Sequence, residues 1–437
     1  MGRLTMRGLM LGLLLFGLVA PWAAAQVPPE SVAEVRETLS SFEPVPVPEP
    51  SELAVQRYRT GNWLWLFNQF WALLVPFVIL VTGFSARIRN VAVRIGRWWY
   101  FVIVVYFTAY MLITYAVDWP LSFYQGYIRE HAYGLSNQTF GKWQGDSLKM
   151  LMVNIVLGAM FLWVPYLLLK KSPKRWWLYT GLLVPVFLCF QTLIAPVFIA
   201  PLFNEFGPMK DQELEAKILA LAERSGIEGS RVYEVEKSVD TNAVNAYVTG
   251  FMDTKRIVLW DTLLEKLDED EVLFVMAHEM GHFVLNHIVK FIMFVSIIIF
   301  VALYLVHRVA NWVLARHGDR FGFHELGDIA SFPLILLLMG VLSLLVTPML
   351  MGLSRHNERE ADQFGIELTQ DSRAAATAFV TLQQENLGVP WHHPVLRYWR
   401  GSHPSIAERI TFFNEYRPWE TGEPMAFDHL FEPEADD

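Results

Sequence analysis

The sequence has almost no cysteine: one residue, Cys189, among 437, set inside an apolar run. A lone thiol excludes a disulfide framework and a thiolate metal cage. Its surroundings predict a buried, inert side chain. Charge is scarce too, with 18% Asp, Glu, Lys and Arg against 53% hydrophobic residues. That balance is too apolar for an ordinary soluble enzyme of this length. Nor is there a basic excess: a net charge of −9 without a long basic block argues against nucleic acid as a partner.

Long hydrophobic runs take the place of charge. At the start, Arg3 and Arg7 precede "GLMLGLLLFGLVA" and then "WAAAQ". This is the pattern of a signal peptide over 1–25, cleaved after Ala25, or of an uncleaved anchor helix. Either puts residue 26 onward outside the cytoplasm. After an acidic, proline-rich linker at 26–60 come six segments of spanning length, roughly 63–84, 99–118, 148–169, 176–198, 288–310 and 330–353. Several are edged by Trp and Tyr, as in "GRWWYF" and "KRWWLY". One such segment is compatible with a buried helix of a soluble protein; six are not.

Positive charge orients the spans. Arg87, Arg89, Arg94 and Arg97 lie in the 85–98 connection, Lys170, Lys171, Lys174 and Arg175 in 170–175, and Arg308, Arg316 and Arg320 in 307–329. The 119–147 connection has only Arg129 and Lys142. The three basic loops are therefore expected in the cytoplasm, with 199–287 and everything after 353 on the exported face. The organisation read this way is a four-span domain at 61–198, a polar insertion at 199–287, a two-span segment at 288–353, a polar segment at 354–415 and an acidic, solvated tail at 416–437.

The insertion reads as α+β. "DQELEAKILALAERSGI" is an amphipathic helix, and "RVYEV", "NAYVTGF" and "RIVLW" are strands, the last two joined by a turn around "DTK". "DEDEVLFVMAHEMGHFVLNHIVK" opens with acids suited to a helix N-terminus and is expected to run unbroken into the fifth span. Within it, His278 and His282 are four apart, about 40° different in direction, with Cβ atoms roughly 5–6 Å apart. Two neutral imidazoles placed so can share one Zn²⁺. Glu279 lies about 100° round from His278, beside the metal but badly placed to bind it. That suits a base acting on water. Composition alone would generate this His-acid-x-x-His pattern about 0.03 times in such a chain.

A catalytic zinc needs a third protein ligand. A histidine six residues after the second is ruled out, because Ile288 stands there. His287 is about 140° round a continuous helix from His282 and reads as a polar residue near the membrane boundary. Beyond the sixth span, "SRHNEREADQFG" sets Glu358 and Asp362 four apart on the same face of the membrane as His278. Glu358 is the favoured third ligand, with Asp362 orienting an imidazole or an arginine. The rival reading of Glu358, Glu360 and Asp362 is a solvated charged face pairing with Arg355 and Arg359.

These stretches resemble the CAAX prenyl protease type 1 family of integral-membrane zinc metalloproteases, across most of residues 60–415. "HEMGH" and "EREAD" carry the resemblance, with "NAYVTGF", "KRIVLWDTLLE", "EHAYGLSNQTFGKW", "NLGVPW" and "GSHPSIAER". It implies one zinc held by His278, His282 and Glu358, with Glu279 as catalytic base. It also implies His403 and Arg409 approaching the site to hold the oxyanion or substrate. The implied fold is mainly α: a polytopic membrane bundle enclosing a chamber, joined to a small α+β metalloprotease domain. Asn245, Ala246 and Tyr247 are expected to form an edge strand that lays a peptide across the zinc.

The resemblance implies processing of C-terminally prenylated proteins. The exported orientation instead suggests a bacterial inner-membrane enzyme, active on the periplasmic side against membrane or mislocalised proteins. The partners in either case are a peptide or protein, lipid-modified or membrane-associated, and membrane lipids. A non-enzymatic transporter or assembly factor is the third reading, disfavoured by the few polar interruptions in the spans, chiefly Asn68, Asn154 and Gln191.

Overall fold

The computed structural model describes residues 43–227, 231–249 and 256–431. The signal or anchor at 1–25, the linker before residue 43, the turn around "DTK" and the last six residues of the tail lie outside the described residues.

Among the described residues, six helices are long and apolar enough to cross a membrane. They are α1 (Glu52–Val81), α3 (Trp99–Ala132), α4 (Phe140–Lys171), α5 (Trp176–Leu202), α9 (His287–Phe321) and α10, whose α-helical part is Phe332–Thr369. A shorter helix, α2 (Phe84–Gly96), follows α1. Their outer faces are strongly apolar and exposed, as at Val186, Phe198, Ile297 and Leu345, which is how a lipid-facing surface reads without its lipid. Cys189 belongs to that outer face of α5, so the expectation of burial within the protein is corrected. At the basic-loop end the bundle closes around Tyr106, Tyr166, Trp176 and Ala330, with Ser85 Oγ hydrogen-bonded to Tyr106 OH at 2.6 Å. An Arg89–Asp328 ion pair lies there too.

The linker ends sooner than its composition suggested. Ser51 caps α1 through Ala54 N, so residues 52–60 are helical and continue directly into the first span.

Between α5 and α9 the chain forms β1 (Phe206–Pro208), α6 (Gln212–Arg224), β2 (Arg231–Val235), β3 (Ala246–Thr249), β4 (Arg256–Trp260), α7 (Asp261–Lys266) and α8 (Glu269–Val284). The sheet order is β1-β2-β4-β3, with β2 and β4 parallel and the other pairs antiparallel. β3 is therefore an edge. Asp268 and Glu271 form a reciprocal capping box that fixes the start of α8. The helix does not run on into the span as its sequence suggested. Asn286 takes a left-handed conformation, φ 57°, which ends α8 and restarts the chain as α9.

After α10 come α11 (Ser372–Glu385) and α12 (Ile406–Glu415). A core of Ile218, Ile257, Phe274, Phe364, Phe379 and Phe413 joins them to α6, α8 and the sheet. The described part of the tail is not a solvated extension. Phe427 and Phe431 pack on Phe364 with ring centroids 5.7 and 5.2 Å away, and Glu367 accepts the backbone N–H groups of Ala426 and Phe427.

The tightest crossing is α8 against α10. A Cβ added at Gly365 would lie 2.9 Å from His278 N, and one at Gly281 would lie 3.2 Å from Ala361 Cα. Backbone cannot yield as a side-chain end does. Gly365→Ala should therefore cost about 1–3 kcal/mol as an overpacked contact. The expected readout is a lower thermal midpoint for the detergent-solubilised protein. Gly145→Ala, where an added methyl meets nothing within 4 Å, should not lower it.

Candidate metal centre and active site

The α8–α10 crossing brings together the three side chains singled out from the sequence. His278 Nε2 and His282 Nε2 lie 3.2 Å apart, and the Glu358 carboxylate is 3.5 Å from the first and 3.4 Å from the second. Three bonds of about 2.0–2.1 Å in tetrahedral directions end roughly 3.3–3.4 Å apart, so this spacing is that of three ligands around one small ion. His278 and Glu358 are buried, and Glu358 Oε2 has no hydrogen-bond partner among the described residues. A buried carboxylate oxygen without a donor is costly unless a cation meets it. The donor set therefore fits a metal.

Asp362, one turn past Glu358, receives His278 Nδ1 at 3.0 Å, leaving Nε2 free to face the carboxylate. Arg409, on the first turn of α12, is ion-paired with Asp362 and sits 3.7 Å from Glu358 Oε2. Its guanidinium lies 3.8 Å over the ring of Phe379. Arg409 is buried, is engaged with Asp362 and Glu358, and lines the same cavity as His278 and Glu358. The capping box Ser405–Glu408 of "SIAER" fixes the turn that carries it. His403 Nε2 is 3.3 Å from Glu358 Oε1, and its loop is held by Arg355, which donates to the carbonyls of Gly401 (2.6 Å) and Arg397 (3.1 Å). Arg355 is thus a buried brace rather than part of a solvated face.

Glu279 lines the same cavity as His278, Glu358, His403, Asn245 and Ala246. Burial pushes its carboxyl above the usual range, the Glu358 carboxylate adds to this, and His278 and His282 oppose it. A hydrogen bond from the Val248 backbone also reaches it.

The edge strand has a definite polarity. Trp260 N–H donates to Asn245 O, making 245 and 260 a hydrogen-bonded pair. Pairs alternate along an antiparallel ladder, so Ala246, opposite Leu259, and Val248, opposite Ile257, turn their N–H and C=O groups to the open edge. Tyr247 faces β4 with its backbone and is not among the cavity residues. Two fasteners hold the strand's approach. Asn386 accepts Val244 N–H at 3.0 Å and donates to its carbonyl at 3.3 Å. Asp240 gathers Asn204 (2.6 Å), Lys142 (2.7 Å), Gln138 (2.8 Å) and Lys237 (2.9 Å). Despite partial burial, those donors hold the Asp240 carboxyl well below the usual range.

Comparison with known proteins follows the same residues. The description "Peptidase family M48" matches residues 208–417, and "CAAX prenyl protease N-terminal, five membrane helices" matches 48–205, where the described residues hold four helices of spanning length. CAAX prenyl protease 1 of Saccharomyces cerevisiae is 32% identical over 315 residues, 68% of each chain. The chain belongs to the CAAX prenyl protease type 1 family, within peptidase family M48. An uncharacterized metalloprotease of Bacillus subtilis, YhfN, is 37% identical over 92% of this chain and 94% of its own. The crystal structure of S. mikatae Ste24p superposes with a TM-score of 0.73 at 26% identity, covering 87% of this chain and 96% of that one. This M48 protein is accordingly a multi-pass membrane metalloprotease, with the helical bundle and chamber expected of the family.

Sequence reasoning set aside His287, which is buried with Nδ1 2.9 Å from His282 Nδ1. The signal was Asn286, a residue type that tolerates left-handed backbone, directly before it. Glu358→Ala should abolish stoichiometric metal in the purified protein, read by elemental analysis. Asp362→Asn should weaken metal affinity about 10–100-fold without abolishing it.

Proposed function

We propose that the chain is a zinc endopeptidase that binds its substrate as an extended strand on the exported face of a bacterial inner membrane. The observation that carries this reading is the convergence of His278, His282 and Glu358 beside Glu279 and the open edge of β3. Zinc held by the three side chains supplies Lewis-acid polarisation and lowers the pKa of water towards about 7. Glu279, which lines the cavity beside the three ligand side chains, takes a proton from the attacking water and returns it to the leaving amine. His403, on the same cavity wall, donates to the developing oxyanion. Asp362 and Arg409 keep the ligand side chains in register, Arg409 from the wall of the same cavity.

Substrate pairing through the outward N–H and C=O of Ala246 and the outward C=O of Val248 uses backbone alone, so it supports loose sequence preference. The relatives named CAAX prenyl protease 1 make a lipidated C-terminus one candidate substrate. The charge distribution favours another. Eleven basic residues, those of the 85–98, 170–175 and 307–329 connections, cluster in three loops away from the zinc site, as cytoplasmic loops do. Proteins presented on the exported face, without a prenyl requirement, are then the natural substrates.

Glu279→Gln should keep zinc and lower kcat on a quenched fluorescent peptide by about 10²–10⁴-fold. Full activity in that variant would end the reading. Ala246→Pro removes one outward N–H and spares the ladder to β4. Turnover should fall with zinc content unchanged, whereas an unaltered rate would refute strand pairing at this edge. The Glu279→Gln protein, expressed in its host, should retain envelope proteins; retention of prenylated cytosolic proteins instead would reverse the assigned orientation.

A further inference from the structure

His282 needs an orienting partner as His278 does, and α10 supplies only one aspartate. His278 has Asp362 on Nδ1; the equivalent atom of His282 meets His287 Nδ1 at 2.9 Å. His287 is buried, and its other nitrogen lies 3.3 Å from Glu360 Oε2. The left-handed turn at Asn286 makes this possible. In an unbroken helix residues five apart diverge by about 140°, whereas here the two rings stand 5.0 Å apart at 73°.

The chemistry fixes the direction of every proton. His282 presents Nε2 to the metal site, so its proton is on Nδ1 and is donated to His287 Nδ1. His287 then carries its own proton on Nε2 and donates it to Glu360. Glu360 is also faced by Lys290 Nζ at 3.7 Å and His356 Nε2 at 3.5 Å, which keep a negative charge at the end of the chain favourable. We infer that His287 and Glu360 form a two-residue relay that sets the tautomer and ring plane of His282. They are positioning residues, matching on the second histidine what Asp362 does on the first. The inference rests on the zinc reading above.

The test is zinc affinity of the full-length protein in detergent, by competition with a chromogenic chelator, with thermal midpoints of the zinc-free forms measured alongside. His287→Ala should weaken zinc binding about 10–100-fold. His287→Asn, whose amide oxygen stands near the lost Nδ1, should recover most of that loss. Glu360→Gln keeps an acceptor but no charge and should weaken binding several-fold. Unchanged affinity in both His287→Ala and Glu360→Gln overturns the relay while leaving the zinc site standing. Should His287→Ala lower the zinc-free midpoint, Glu360→Gln decides alone: unchanged affinity overturns the relay, and a several-fold loss supports it. Failure of the wild-type protein to bind zinc would instead remove the site itself.

Discussion

Everything at the active site depends on how closely two helix backbones approach. α8 carries the histidines and α10 the glutamate, and they cross with Gly365 against the main chain of His278 and Gly281 against Ala361. A side chain at either position would separate the helices. Ligand spacing of 3.2–3.5 Å leaves no slack for that, because three donors must address one small ion. The two glycines are therefore as much a part of the metal centre as the donors.

α10 solves a second problem by its length. Thirty-eight residues at 1.5 Å each make a rod of about 57 Å, nearly twice the roughly 30 Å of bilayer hydrocarbon. Its first half can answer to lipid while its last turns deliver Glu358, Asp362 and Glu367 to the polar side. α9 leaves the site at His287 and α10 returns to it, so one membrane hairpin closes the distance between residues 282 and 358.

Local patterns were legible where a single period or motif determines the outcome. HExxH on a helix, EREAD on the next polar stretch and eleven Lys and Arg in three loops were enough to anticipate which side chains meet. The strand "NAYV" also emerged as an edge. What stayed hidden depends on residues far apart in sequence or on one dihedral. Asp240 binds donors from positions 138, 142, 204 and 237, and no window of sequence shows that convergence. Phe427 and Phe431 look like tail until Phe364 is seen waiting beneath them. The conformation of Asn286 redirects everything after it, and periodicity has no term for a single left-handed residue. The packing of Arg409 among Asp362, Glu358 and Phe379 likewise joins residues of three separate segments.

The Asp240 knot and the Asn386 clasp bear on how the enzyme can be handled. Both tie the strand beside the metal to chain that lies on the far sides of transmembrane helices, residues 138–142 before it and 386 after it. Excising the polar insertion as a soluble fragment would sever every one of these ties and discard Glu358 as well. Bilayer and proteolytic machinery here are one folding unit, and any minimal form of this enzyme has to be built with its membrane helices in place.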